Sequence, residues 1–134
     1  MSDTTTANKA RVLVAEDNPA LALVVRFHLE NAGFRVTVAR NGEETWGLLQ
    51  REDFDAVVTD QQMPGLSGAE VCARMRREAR LAEIPVVMLT AKGLEMELDR
   101  LRKELGVWKV LPKPFSVRQL VEIVEDCTAP SGAK

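Results

Sequence analysis

The sequence predicts a doubly wound α/β domain: a five-stranded parallel sheet, strand order 2-1-3-4-5, with five helices packed on its two faces. Three observations predict it. Five short β-branched-rich runs alternate with five amphipathic ones along the chain. Runs one, three and four are apolar at successive positions, so both faces of those strands must be covered. Each pair of runs is joined through a helix-length segment, and a right-handed crossover of that kind places helices on both sides of the sheet.

The elements follow in order. RVLVAE at 11–16 is the first strand. Asn18-Pro19 caps and starts a helix, because proline suits the first helical position, and Gly33 stops it after about Ala32. FRVTVAR at 34–40 is the second strand, and a helix follows from about Gly42 to Arg51. FDAVVTD at 54–60 is the third strand, and Ser67 opens a helix that runs to about Arg77. IPVVMLT at 84–90 is the fourth strand. In the helix at 94–105, Leu94, Leu98, Leu101 and Leu105 share one face. VWKVL at 107–111 is the fifth strand, and Ser116 with Gln119 predicts a capping box for a last helix ending near Cys127. In the first helix, Leu21, Val24, Val25, His28, Leu29 and Ala32 form the expected core stripe, which leaves Leu23 and Phe27 on the outer flank.

The ends are polar and rich in small residues. The expected organisation is a weakly ordered arm at 1–9, one domain at 10–127 and a tail at 128–134. The 134 residues suffice for one core without staples. Net charge is −2, from 18 basic and 20 acidic residues, which points away from nucleic acid or an anionic membrane as the main partner. Cys72 and Cys127 lack metal or redox spacing and read as free thiols in a reducing compartment. The longest apolar run, ALALVV at 20–25, is too short to span a bilayer. The expected setting is cytoplasmic.

In sheets of this kind the working site lies beyond the carboxyl ends of the strands. Glu16 and Asp17 follow strand one, Asp60 ends strand three, Thr90 ends strand four, and Lys113 follows strand five. Taken singly, each has a plain reading: a turn residue, a helix-start acid, a structural hydroxyl, a solvated lysine. Together they fall on one edge. Three carboxylates repel and need a cation, and hard oxygen ligands favour Mg²⁺ or Mn²⁺. With Lys113 beside them the set can accept a phosphoryl group; Asp60 is the best placed nucleophile and Thr90 can hydrogen-bond a phosphoryl oxygen.

The chain resembles the receiver domain of two-component response regulators. The resemblance rests on VLVAEDNP, VVTDQQMPGLSG, VVMLTA and LPKPF, in order and at family-like spacing, and covers about residues 10–127. It implies a CheY-like, flavodoxin-like fold and a phosphorylation-switched signalling role. Asp60 would accept a phosphoryl group from a phosphohistidine of a sensor histidine kinase or phosphotransfer protein. Glu16, Asp17, Asp60 and the backbone carbonyl of Gln62 would hold Mg²⁺, Thr90 would be the switch hydroxyl, and Lys113 would contact the phosphate. The Gln62 side chain and Lys92 would tune the phosphoryl lifetime, and the Lys113-Pro114 bond would be cis. The first helix would dock the partner's histidine-bearing helices, with Leu23 and Phe27 in that patch. The output would be binding to a downstream target protein, in a stand-alone mode. Self-phosphorylation from small donors and self-dephosphorylation would serve switching, not metabolic catalysis.

Two positions depart from the family pattern. Val110 stands where relatives usually carry Tyr or Phe, which puts the usual output coupling in question. Trp108, two residues earlier on the expected strand, is either an exposed contact patch for self-association or packed on the fourth helix. Other functions fit less well. A flavin binder needs a phosphate loop after strand one, where this chain has Glu16-Asp17-Asn18-Pro19. An aspartyl phosphatase needs an acid two residues after its nucleophile, where this chain has Gln62. A degenerate receiver that binds partners without phosphate is the remaining alternative.

Overall fold

The computed structural model describes residues 10–91 and 95–129. The arm expected at 1–9, Lys92, Leu94 and the tail beyond Ala129 lie outside them. Five strands form one parallel sheet: β1 (Arg11–Ala15), β2 (Arg35–Ala39), β3 (Ala56–Asp60), β4 (Val86–Thr90) and β5 (Lys109–Pro112). Their order is β2-β1-β3-β4-β5, as expected. The helices are α1 (Pro19–Asn31), α2 (Gly42–Arg51), α3 (Gly68–Arg76), α4 (Glu95–Leu105) and α5 (Val117–Thr128). Among the described residues, no helix is long and apolar enough to cross a membrane.

Two buried clusters sandwich the sheet. Strand side chains alternate in direction, so Leu13, Val57, Val86 and Met88 meet α2, α3 and α4 through Leu48, Leu49, Val71 and Met75, with Leu101 and Leu105 packed against them. Val12, Val14, Val58, Val87 and Leu89 meet α1 and α5 on the other face through Val25, Leu29, Leu120 and Val124. All five residues of β3 are buried, as are those of β4, which is why both strands read as apolar up to their polar ends, Thr59-Asp60 and Thr90.

Local chemistry fixes the helix ends. The Asn18 side-chain oxygen accepts from the N–H groups of Ala20 at 3.0 Å and Leu21 at 3.1 Å, and Pro19 takes the first helical position. Gly33, with φ +102°, ends α1 in a conformation that costs glycine nothing. Ser67 and Glu70 make a complete capping box on α3. The box expected on α5 is only half formed: Ser116 Oγ accepts from the Gln119 N–H at 3.2 Å, without a return bond from the Gln119 side chain.

Two expectations need correction. The core stripe of α1 is narrower than predicted: Ala22, Val25 and Leu29 are buried and Leu21 partly so, but Val24, His28 and Ala32 are exposed. The buried centre is set by positions 22, 25 and 29, and at about 100° per residue Val24 lies roughly a third of a turn away. Small Ala22 lets the helix settle on that line, and His28 folds back onto its own helix, with Nδ1 2.9 Å from the Val24 carbonyl oxygen. The fifth strand begins at Lys109, so Trp108 lies just before it. The Trp108 N–H bonds to the Val86 carbonyl at 2.8 Å, and its side chain is 50% exposed. Val110 is partly buried against the α2–α4 core.

Candidate functional site

Register brings the predicted residues to one edge. In the sheet, Asp60 pairs with Leu89 and Thr90 with Pro112, so the ends of β3, β4 and β5 are level. The backbone N–H of Lys113 donates to the Thr90 carbonyl at 2.7 Å, which anchors the lysine at the top of β5. The Lys113-Pro114 bond is cis, as expected.

Asp60 is 5% exposed and Glu16 is 1% exposed, so both carboxyl groups sit inside the protein surface. Each has partners. Lys113 Nζ donates to Asp60 Oδ2 at 2.9 Å and to Glu16 Oε1 at 3.3 Å. The other Asp60 oxygen, Oδ1, accepts from the Gln62 N–H at 3.3 Å, and Glu16 Oε2 accepts from the Asn18 N–H at 3.1 Å. Asp17 is exposed, yet one of its oxygens lies within 4.8 Å of oxygens of Glu16 and Asp60. Thr90 is fully buried, its hydroxyl donating to the Ala91 carbonyl at 3.2 Å.

The charges at this edge do not cancel. Three carboxylates face one ammonium, leaving two negative charges in excess. Burial pushes the Glu16 carboxyl above its usual range; the Asn18 N–H opposes this, the Asp60 charge adds to it, and Lys113 opposes it again without reversing it. Burial works to lower the Lys113 ammonium, but hydrogen bonding and charge from Asp60, then from Glu16, outweigh it and hold the lysine above its ordinary value. A divalent cation fits this donor set. Its atoms are hard carboxylate oxygens, the shared center is electron-rich, and exposed Asp17 leaves a side open to water. Beside it opens a cleft of about 630 Å³, lined by Asp17, Gln61, Gln62, Met63, Pro64, Ser67 and Glu97.

Not every predicted residue is here. Glu16, Asp17, Asp60, Gln62, Thr90 and Lys113 share this edge. Leu23 and Phe27 lie on the outer face of α1, 67% and 58% exposed, with Val24 extending the patch. Trp108 lies at the opposite edge, before the start of β5. Two contributors escaped the sequence reading: Asn18, whose N–H holds Glu16, and Gln61, whose side-chain oxygen accepts from the Ala69 N–H at 2.7 Å. Asn18 was legible only as a helix cap, and nothing in the spacing of Gln61 marks it.

The comparisons with known proteins agree with this geometry. The response regulator receiver domain profile matches residues 12–125. The chain is 36% identical over 115 residues to the phosphate regulon transcriptional regulatory protein PhoB of Rhizobium meliloti (strain 1021), covering 86% of this chain and 50% of that protein. It spans about half the length of the curated relatives it matches. Among solved structures, the chemotaxis response regulator CheY4 of Vibrio cholerae superposes with a TM-score of 0.82 at 27% identity, covering 90% of this chain and 99% of that one. The receiver domain of sensor histidine kinase PA1611 from Pseudomonas aeruginosa PAO1 superposes with a TM-score of 0.80 at 26% identity, covering 91% and 99%; that structure has a magnesium ion coordinated in its active-site cleft. The buried acidic edge, the strand order and these likenesses converge: this chain belongs to the response regulator receiver domains of two-component systems, which are signalling switches rather than enzymes.

Proposed function

We propose that Asp60 accepts a phosphoryl group from a phosphohistidine of a sensor kinase or phosphotransfer protein. The observation that carries this is the Lys113 ammonium bridging Asp60 and Glu16 at the open edge of a three-carboxylate cluster. An Asp60 carboxylate oxygen forms a P–O bond as the donor's P–N bond breaks, and the bonding pair leaves with the imidazole nitrogen. Lys113 is already charged at this position and turns from the carboxylates toward the incoming phosphoryl oxygens. Glu16, Asp17, Asp60 and the Gln62 carbonyl hold Mg²⁺, with Mn²⁺ an acceptable substitute. Bound there, the ion supplies positive charge against the phosphoryl oxygens. Thr90, one strand away, gives its hydroxyl bond to Ala91 over to the phosphoryl group and carries the switch.

The same reading assigns the remaining residues. The exposed Gln62 side chain and Lys92 set how easily water removes the phosphoryl group. Leu23 and Phe27 dock the histidine-bearing partner, and half-exposed Trp108 offers a contact for a target or a second copy of the chain. The output is a changed affinity for a downstream target protein. A cytoplasmic setting suits this chemistry, because it supplies Mg²⁺ and keeps Cys72 and Cys127 reduced.

Beryllofluoride, which mimics a phosphoryl group on a carboxylate, tests the reading directly. A bound ¹⁹F signal that requires Mg²⁺ and disappears in Asp60→Asn is expected. Absence of any bound signal in the wild-type chain would turn the account to a phosphate-independent binding module.

A further inference from the structure

Gln61 uses its backbone N–H, its backbone carbonyl and its side-chain oxygen to tie three elements together. Its N–H donates to the Leu89 carbonyl of β4 at 2.8 Å, carrying the β3–β4 ladder one residue past Asp60. Its backbone carbonyl accepts from the Gly68 N–H at 3.0 Å. Its side-chain oxygen accepts from the Ala69 N–H at 2.7 Å. Gly68 and Ala69 are the first two residues of α3, whose N–H groups have no partner inside the helix. The next one, Glu70, bonds to Ser67 Oγ at 3.1 Å. Gln61 therefore takes two of the first three free donors of α3, one by main chain and one by side chain.

The packing around this clamp is close. A Cβ on Gly68 would lie 2.6 Å from the Asp60 carbonyl oxygen and 2.7 Å from Met88 Sδ, so glycine is what lets α3 come this near the strand end. The Gln62 peptide hangs directly from this anchored residue, and its N–H reaches Asp60 Oδ1 at 3.3 Å.

We propose that Gln61 is a positioning residue for the phosphoryl-transfer site: its side-chain oxygen clamps the first turn of α3 to the Asp60–Gln62 turn and so fixes the Gln62 peptide against the Asp60 carboxylate. This rests on the receiver reading of the site given above. The Gln61 side-chain oxygen is engaged at the Ala69 N–H and is not one of the acidic cluster's oxygens. It acts through Gln62, and groups that orient a ligand from outside the coordination sphere commonly change metal affinity by one or two orders of magnitude when removed.

A plain cap would stabilise α3 and do nothing more. Ser67 supplies the comparison, since its Oγ caps the same turn at Glu70, whereas the bonds to Gln61 come from the Gly68 and Ala69 N–H groups. The test is Mg²⁺ titration followed by the amide NMR shifts of Asp60 and Gln62, with hydrogen exchange read at Ala69. It uses wild type, Gln61→Leu, Gln61→Ala, Gln61→Glu and Ser67→Ala. Gln61→Leu and Gln61→Ala should bind Mg²⁺ on the order of ten-fold more weakly, with faster exchange at Ala69. Gln61→Glu keeps an acceptor oxygen and should retain wild-type affinity or better, and Ser67→Ala should bind as wild type does. Unchanged affinity in both Gln61→Leu and Gln61→Ala, or an equal loss in Ser67→Ala, overturns the positioning role while leaving the receiver reading intact. Failure of the wild-type chain to bind Mg²⁺ overturns that reading and this proposal with it.

Discussion

Asp17 is the one carboxyl of the acidic cluster that water reaches freely, and it contributes mainly repulsion until a cation arrives. Removing its charge should therefore help the metal-free fold and harm metal binding. In EDTA, Asp17→Asn should be more stable than wild type by about 0.5 kcal/mol, the solvent-screened end of a like-charge contact. With Mg²⁺ at a hundred times its dissociation constant, wild type should gain about 2.7 kcal/mol and Asp17→Asn much less. Urea unfolding with and without Mg²⁺ reads both, and a destabilised Asp17→Asn in EDTA would contradict the electrostatic account. Glu16 gives a pH signature. Its folded carboxyl binds its proton more tightly than an ordinary glutamate, whose value is 4.5. The metal-free chain should then gain stability from this group as pH falls from neutral through the raised value toward 4.5, and lose it again as pH rises. Mg²⁺ binding should weaken over the same window, because it needs the carboxylate. Comparing urea midpoints of wild type and Glu16→Gln across pH checks this; parallel curves would contradict it. Lys113 works at the other end. Its contribution is complete below its ordinary value of 10.5 and is lost as pH rises through the higher folded value.

Among the elements, α1 carries the proposed recognition surface. Leu23 and Phe27 are large, apolar and exposed, while Ala22, Val25 and Leu29 hold the helix to the sheet from its other side. A change on the outer face should therefore leave the phosphorylation chemistry alone. Phe27→Asp should slow transfer from the phosphohistidine partner on the order of ten-fold or more, as loss of a central aromatic contact does. Labelling by acetyl phosphate should be unchanged. Phosphotransfer from the partner at the wild-type rate would remove Phe27 from the docking surface. This helix also marks the limit of what the sequence conveys. Helical periodicity identified its outer flank correctly but made the core stripe too wide, because spacing does not say how much of a helix the sheet can cover. Val24 and His28 are exposed for that reason. The strand ends were more legible. Asp60 and Thr90 close apolar runs whose direction and burial follow from sequence alone. Trp108 reads as strand because Val107 and Val110 flank it in a short apolar run, whereas the ladder with β4 starts at Lys109. Gln61 could not be read at all: a side chain that reaches eight residues ahead to cap a helix leaves no period.

Over the whole molecule, five parallel strands act as level posts. Strand order sets β1 and β3 side by side at the center, so Glu16 and Asp60 meet although 44 residues separate them. Lys113 arrives from β5 at the sheet's edge, its long side chain spanning to Asp60 and Glu16. Three short loops thus build one charged site on a rigid frame, with the helices free to vary their outer faces toward partners. We propose that this frame holds Asp60 ready for phosphorylation. Intact mass spectrometry after incubation with acetyl phosphate and Mg²⁺, beside Asp60→Asn and EDTA controls, reads this. A single phosphoryl adduct is expected on the wild-type chain and is lost in both controls. An adduct that persists in Asp60→Asn, or that forms in EDTA, overturns the assignment.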